Sequence, residues 1–126
     1  MPRAILAEER IHPAIRGVIA NRHADIVREV EEAVAANAVV VVGMQQNPVV
    51  KKARKALDAA GVRHAYLEYG SYFNTWRRRN ALKMWTGWPT FPMIFVKGVL
   101  IGGFEDLEKL IASGEWDQLL TAPRAA

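Results

Sequence analysis

Cysteine is missing from this chain of 126 residues. Its absence excludes disulfide bonds, thiolate-bound zinc, iron–sulfur clusters ligated by this chain and any cysteine nucleophile. It also removes the redox state of thiols as a clue to the cellular compartment. Any chemistry that requires a thiolate on this chain is therefore excluded from the outset.

Long hydrophobic runs are missing as well. The longest apolar run covers residues 38–42, whereas a membrane-spanning helix needs roughly 20 residues. The first ten residues lack the apolar core of a signal peptide, and Glu8 and Glu9 are atypical of a transit peptide. The sequence therefore predicts a cytoplasmic protein without a membrane partner.

The composition is that of an ordinary folded domain, with 51% hydrophobic and 24% charged residues. Lys and Arg number 17 against 13 Asp and Glu, a net charge of +4 that permits anionic partners without requiring them. The histidines, His12, His23 and His64, are scattered through the chain. No ligand spacing therefore predicts a metal site.

In the first third of the sequence, apolar residues recur with the period of an α-helix. Pro13 suits a first helical position and is followed by an apolar stripe of Ile15, Val18 and Ile19. Residues 1–24 thus predict an N-terminal helical extension, whose stripe needs a surface to cover. We expect it to pack on its own domain or on a second copy in a homodimer.

A second helix is expected from Asp25, which would cap it. Its inner face carries four apolar residues, Ile26, Val27, Val30 and Val34. The helical period of apolar residues ends before residue 39. Valines then fill residues 39–42, a run typical of a strand buried on both faces.

Asn47 and Pro48 predict the start of the next helix, since asparagine is a strong N-cap and proline fits the first turn. Gly61 is a typical residue to end that helix. A second strand follows over residues 64–68, and Asn74 is expected to cap a helix that runs to about Trp85.

A β-hairpin comes next, with strands near residues 92–97 and 99–102 and a turn at Lys97 and Gly98. The following helix, residues 104–112, should point Leu107, Leu110 and Ile111 inward. A last short helix begins at residues 113–116, and residues 122–126 are expected to form a disordered tail. This order predicts an α/β sandwich of three layers around a small mixed sheet, over residues 25–121.

Three segments, in the right order and spacing, resemble those of monothiol glutaredoxins. Trp88-Pro89-Thr90-Phe91-Pro92 is similar to the Trp-Pro-Thr-x-Pro segment of that family, in which the last proline is cis. Residues 96–98 and 101–103 resemble its hairpin and paired glycines, and residues 113–115 its Ser-Gly-Glu. The resemblance covers about residues 25–120 and implies a thioredoxin/glutaredoxin-like fold with a mixed sheet of four strands.

The active-site segment departs from the family. Its nucleophilic cysteine corresponds to Asn47, followed by Pro48, and its resolving position corresponds to Val50; the family's preceding lysine corresponds to Met44. Thiol–disulfide exchange needs a thiolate to attack a disulfide sulfur. The family's redox chemistry is therefore not expected here, and neither is its iron–sulfur binding, which uses the same cysteine.

The resemblance still implies a glutathione groove. Thr90, Phe91 and Pro92 hold the positions whose backbone pairs with the tripeptide, or with another extended peptide, as an added strand would. Backbone N–H groups at Phe104 and Glu105 would receive the γ-glutamyl carboxylate at a helix N-terminus.

Gly103, the second of the paired glycines, directly precedes that helix. Turn geometry or a close backbone approach would also explain a glycine here, without a ligand. Arg79 and Lys83 match the basic residues that receive the glycyl carboxylate. They are four residues apart, so they share one helical face. No stacking platform flanks this basic cluster, and a nucleic-acid partner is not expected.

Three functions remain open. The first is a module that binds glutathione or an extended peptide without covalent chemistry. The second is a glutathione-dependent enzyme of transferase type, with the helix start at Asn47 near the ligand's sulfur; the third is an interaction protein that uses the N-terminal helices. Lowering a thiol pKa from about 8.5 to about 7 takes about 2 kcal/mol. A helix terminus supplies about 0.3–1 kcal/mol, and up to about 2 kcal/mol in favourable geometry, so the helix alone is marginal. This comparison favours the binding module.

Overall fold

The computed structural model describes residues 2–71 and 76–122. After a 3-10 turn at Glu8–Arg10, its helices are α1 (Pro13–Asn21), α2 (Ala24–Ala36), α3 (Pro48–Ala59), α4 (Trp76–Thr86), α5 (Phe104–Ser113) and α6 (Glu115–Thr121). Its strands are β1 (Val39–Gly43), β2 (Ala65–Glu68), β3 (Met93–Val96) and β4 (Val99–Gly102). The expected helix cap at Asn74 and residues 123–126 of the expected tail lie outside the described residues.

The strands form one mixed sheet in the order β2-β1-β3-β4. Strand β1 is parallel to β2 and antiparallel to β3, and β3 is antiparallel to β4. All five residues of β1 are buried, because the strand is central and helices cover both of its faces. Helix α3 supplies the crossover that parallel strands need. The predicted α/β fold with a sheet of four strands is confirmed.

Alternating valines of β1 pack into two separate hydrophobic cores. Val40 and Val42 pack on one face with apolar residues of α2 and α4, among them Ile26, Val30 and Leu82. Val39 and Val41 pack on the other face with residues of α3, α5 and α6, among them Leu57, Leu107 and Trp116. The two-residue period of a strand thus produces the three layers.

The connection from β1 to α3 depends on a glycine. A Cβ built on Gly43 would lie 2.7 Å from Cγ1 of Val50 and 3.0 Å from the Tyr66 ring. The end of β1 and the first turn of α3 therefore approach more closely than a side chain would allow. This approach sets the start of α3 directly beyond the edge of the sheet.

Turn and cap residues match the sequence pattern in two places. Asn47 caps α3 with Pro48 at its first position, and Gly61 follows the helix with a φ of 72°. Lys97 and Gly98 both have positive φ, 52° and 85°, as the tight hairpin turns that match strand twist require.

The expected cap of α2 is wrong. His23 holds the N-cap position with a φ of 51°, and Asp25 lies in the first turn of the helix. The tight turn between α1 and α2 brings the chain into the helix two residues earlier than the pattern predicts. Asp25 instead accepts a hydrogen bond from Arg78 at 3.0 Å, an ion pair that joins α2 to α4.

The expected inner face of α5 is correct for Leu107 and wrong for Ile111. Leu107 is fully buried, whereas Ile111 is 37% exposed at the last turn. The stripe of α1 also remains open: Ile15, Val18 and Ile19 each expose about half of their surface. The described part of the domain therefore does not cover this stripe.

These two positions on α5 make a matched test of the core. We expect Leu107→Ala to lower the free energy of unfolding by about 2–5 kcal/mol, because it leaves a cavity in a closed core. Ile111→Ala should cost less than half as much, since its side chain is partly in water. Urea denaturation followed by circular dichroism measures both; equal losses would contradict the assignment of the core.

Candidate functional site

Six of the predicted groove residues, Thr90, Phe91, Pro92, Gly103, Phe104 and Glu105, meet in one hollow of about 380 Å³ at the start of α5, whereas Arg79 and Lys83 do not line it. The peptide bond between Phe91 and Pro92 is cis, as the resemblance implies. The hollow is lined by Val49, Trp88, Thr90, Phe91, Pro92, Gly103, Phe104, Glu105 and Asp106. The segment before β3 and the N-terminus of α5 are 11 residues apart in sequence, from Pro92 to Gly103, and the β3–β4 hairpin brings them together.

The floor of this hollow is the first turn of α5. Gly102 has a φ of 111°, which favours glycine, and the next residue, Gly103, is the N-cap of α5. The Asp106 carboxylate accepts a hydrogen bond from the Gly103 N–H at 3.0 Å. The N–H groups of Phe104 and Glu105 belong to the first turn, where a helix has no carbonyl to bond them. An anion that enters the hollow meets these groups and the positive end of the helix dipole, but also the carboxylates of Glu105 and Asp106 on the same turn.

Asn47, the residue that the sequence predicts at the position of the family's nucleophile, has a buried side chain. Its Oδ1 accepts hydrogen bonds from the N–H groups of Val49 and Val50, at 2.9 and 3.3 Å. Its Nδ2 donates to the Phe91 carbonyl at 3.4 Å. One side chain thus caps α3 and joins its first turn to the residue before Pro92.

This arrangement decides what the start of α3 can offer a ligand. The N–H groups of Val49 and Val50, which could otherwise stabilise a thiolate, are already bonded to Asn47. Met44, which the sequence predicts at the position of the family's lysine, is buried in the core. Neither feature favours activation of a ligand's thiol.

Lys83 lies beside the predicted groove. Its Nζ is 5.8 Å from the ring centroid of Phe91, which lines the hollow. A cation at this distance interacts with the ring and remains partly exposed to an incoming carboxylate.

Arg79 is placed differently from the expectation that it shares an anion with Lys83. Its side chain is 5% exposed, and Nη1 donates to the Tyr69 carbonyl at 2.9 Å. The residue is not among those that line the hollow. Helical spacing placed both cations on one face, but the chain after β2 covers the Arg79 end of that face.

Tyr69 links Arg79 to the neighbouring helix. Its hydroxyl donates to the Glu29 carboxylate at 2.8 Å, and burial, then this hydrogen bond, raise the pKa of the Tyr69 hydroxyl above its ordinary value. The contacts of Glu29, Tyr69 and Arg79 connect α2, the segment after β2 and α4. Sequence reasoning missed this network, because its members belong to three separate elements.

Three lining residues were also missed as site residues. Trp88 lies inside the quoted family segment, and its buried Nε1 has no hydrogen-bond partner among the described residues. Asp106 could have been found from its position three residues after Gly103, which is typical of a capping box. Val49 carries no such pattern.

Other kinds of site find little support. Within residues 2–71 and 76–122, no three His, Asp or Glu side chains are grouped so that they could hold a metal ion. Over the same residues, every helix is too short or too polar to cross a bilayer.

Comparison with known proteins identifies the scaffold. A family model described as Glutaredoxin matches residues 39–101, half of the chain. A glutaredoxin-like protein of Dictyostelium discoideum is 51% identical over 100 residues, which cover 79% of this chain and 81% of that protein. The chain belongs to the glutaredoxin family.

Other glutaredoxins agree in sequence and in fold. A probable monothiol glutaredoxin, GrlA of Legionella pneumophila, is 33% identical over 75 residues, 60% of this chain and 81% of that protein. The wheat glutaredoxin structure superposes with a TM-score of 0.69 at 28% identity, over 79% of this chain and 95% of that one. The buckwheat glutaredoxin–glutathione complex has a TM-score of 0.71 at 24% identity, over 79% and 91% of the two chains.

The two roles of Asn47 can be separated by substitution. We expect Asn47→Ala to lower the free energy of unfolding by about 0.5–2 kcal/mol, because α3 loses its cap. Asn47→Ser should recover most of that loss, since its hydroxyl can cap α3 although it cannot reach the Phe91 carbonyl as the amide does. Thermal and urea denaturation provide the measurement, and equal losses in both variants would contradict a capping role.

Proposed function

We propose that this glutaredoxin-family chain binds glutathione non-covalently, in the hollow beside Pro92, and does not exchange thiols and disulfides. The observation that carries the proposal is the convergence of Thr90, Phe91 and Pro92 with the start of α5 in one hollow. Its volume, about 380 Å³, lies in the range of small-molecule sites and suits a tripeptide. An extended peptide segment of a protein partner would use the same backbone contacts.

Each charged group of glutathione has a complement around the hollow. The γ-glutamyl carboxylate would accept from the N–H groups of Phe104 and Glu105, at the positive end of α5. The ammonium of the same residue would meet the carboxylates of Glu105 and Asp106, which both line the hollow. The glycyl carboxylate would approach Lys83, next to Phe91.

The middle of the tripeptide would lie along the backbone of residues 90–92, as an added strand does. The buckwheat glutaredoxin structure, solved as a glutathione complex, supports glutathione as the ligand. The cysteinyl sulfur would then point toward Asn47. Because Asn47 offers an amide rather than a thiolate, the contact is a polar one and no bond to sulfur forms.

A titration with reduced glutathione tests the proposal. We expect the backbone amide signals of Phe91, Phe104 and Glu105 to shift in NMR spectra at millimolar ligand. The analogue γ-glutamyl-alanyl-glycine should bind within about threefold of glutathione, because no protein thiolate uses the sulfur. Spectra that do not change with either ligand would overturn the proposal.

Lys83 is expected to contribute to this affinity. A charge-assisted hydrogen bond contributes about 1.5–3 kcal/mol, and the partial exposure of Lys83 places its effect toward the lower end. Lys83→Gln should therefore weaken glutathione binding about tenfold. Lys109→Gln, an equal change of charge at an exposed position of α5, is the matched control and should bind as the unchanged chain does. Equal affinities for all three proteins would remove Lys83 from the site.

Restoring a thiol tests whether the site still has the geometry of the family. We expect the thiol of Asn47→Cys to have a pKa below the usual value of about 8.5, since the first N–H groups of α3 become available to a thiolate. At pH 7 it should attack glutathione disulfide, forming a mixed disulfide and releasing one glutathione thiolate, at least about tenfold faster than an exposed thiol.

Ala112→Cys, on the exposed surface of α5, is the reference thiol for this experiment. Mass spectrometry follows the glutathionylated product, and iodoacetamide reactivity against pH gives both pKa values. Equal rates and equal pKa values in the two variants would contradict a glutathione groove next to residue 47.

A further inference from the structure

The α3 side of the hollow beside Pro92 differs in chemistry from its α5 side. Val49 lines the hollow from α3, and its apolar side chain is 39% exposed. The charged lining residues, Glu105 and Asp106, belong to the first turn of α5. An apolar wall thus adjoins Asn47, toward which the sulfur of glutathione points in the proposed function.

The backbone N–H groups at the start of α3 are already used. Pro48 has no N–H, and those of Val49 and Val50 donate to Oδ1 of Asn47 at 2.9 and 3.3 Å. The N–H of Lys51 donates to the Asn47 carbonyl at 3.4 Å. A ligand thiolate at this position would leave water without gaining these donors, so this side of the hollow favours an uncharged sulfur.

The side chain of Asn47 does not distinguish a thiol from a thioether. The two N–H groups of α3 occupy both lone pairs of its Oδ1, so the S–H of a thiol finds no acceptor there. Its Nδ2 donates one proton to the Phe91 carbonyl and carries a second. Sulfur is a weak acceptor for such a proton in a thiol and in a thioether alike. Replacing the hydrogen on sulfur by carbon therefore costs no contact with Asn47.

We propose that the hollow binds glutathione thioethers, in which the sulfur carries an apolar alkyl or aryl group, in preference to glutathione itself. This ligand class rests on the proposed function, because it uses the same placement of the tripeptide along residues 90–92. The substituent would lie against the exposed surface of Val49, and the carboxylates of Glu105 and Asp106 would remain with the γ-glutamyl group. Binding is reversible, and no bond forms or breaks.

Two other forms of glutathione complement this wall less well. Reduced glutathione leaves the exposed surface of Val49 in contact with water and its own S–H without an acceptor at Asn47. Glutathione disulfide would bring the charged groups of a second tripeptide toward the same apolar side chain. An uncharged apolar substituent is therefore the form that this side of the hollow favours.

A series of S-alkyl glutathiones provides the probe, measured on the full chain by isothermal titration calorimetry and by NMR. We expect S-methylglutathione to bind within about threefold of glutathione. S-hexylglutathione should bind at least about fivefold more tightly than S-methylglutathione, because its added methylene groups leave water at Val49. The amide signals of Val49, Phe91 and Phe104 should shift. S-hexylcysteine lacks the γ-glutamyl and glycyl groups and should bind at least about tenfold more weakly than S-hexylglutathione.

Matched variants locate the alkyl group. Val49→Thr keeps the shape of the side chain and replaces a methyl group by a hydroxyl. It should weaken binding of S-hexylglutathione about threefold or more and leave the affinity for glutathione within about twofold. Val99→Thr makes the same change at a side chain 45% exposed on the β3–β4 hairpin, and it should bind both ligands as the unchanged chain does.

The outcomes separate this ligand class from the proposed function. If glutathione binds and S-hexylglutathione binds no more tightly, the preference for thioethers is wrong and the glutathione site stands. Equal affinities of the two threonine variants for S-hexylglutathione, or amide shifts at Ile19 and Met84 instead of Val49, would place the alkyl group elsewhere. Glutathione disulfide that binds as tightly as S-hexylglutathione would contradict an apolar preference. Failure of every tripeptide to bind would remove the glutathione site itself.

Discussion

The side chain of Asn47 joins two segments whose relative position defines the site. Its oxygen caps the first turn of α3, and its nitrogen donates to the Phe91 carbonyl, 44 residues later in the chain. These contacts place the end of β1, the start of α3 and the segment before β3 side by side. The polar atoms of Asn47 bond to its own neighbours, and these hydrogen bonds hold the two segments together without a thiol.

Much of the fold follows from local patterns that can be recognised in the sequence. A run of four valines is typical of a strand buried on both faces. Asn47, Pro48 and Gly61 delimit α3 because capping, ring geometry and positive φ are local effects. The groove is predicted from the resemblance, and one short hairpin ties its residues Thr90, Phe91 and Pro92 to the paired glycines. A short hairpin with a tight turn leaves little freedom in the relative placement of its two ends.

Features that depend on distant contacts could not be predicted. Helical spacing placed Arg79 and Lys83 on one face, but the position of Tyr69 above that face decides that Arg79 is buried. Asp25 is a good cap by composition, yet its contact with Arg78 and the turn at His23 determine where α2 starts. The exposure of Ile111 depends on where α5 ends relative to α3, which periodicity does not report.

Without a thiol on this chain, the groove can hold a ligand only by non-covalent contacts. A mixed disulfide is released only when another thiolate attacks it, whereas a non-covalent groove responds directly to the concentration of the ligand. Helix α4 contributes to the groove, because Lys83 lies over Phe91, and its next residue, Met84, lines a separate apolar hollow among α1, α2 and α4. Adjacent residues of α4 thus belong to two different surfaces of the molecule.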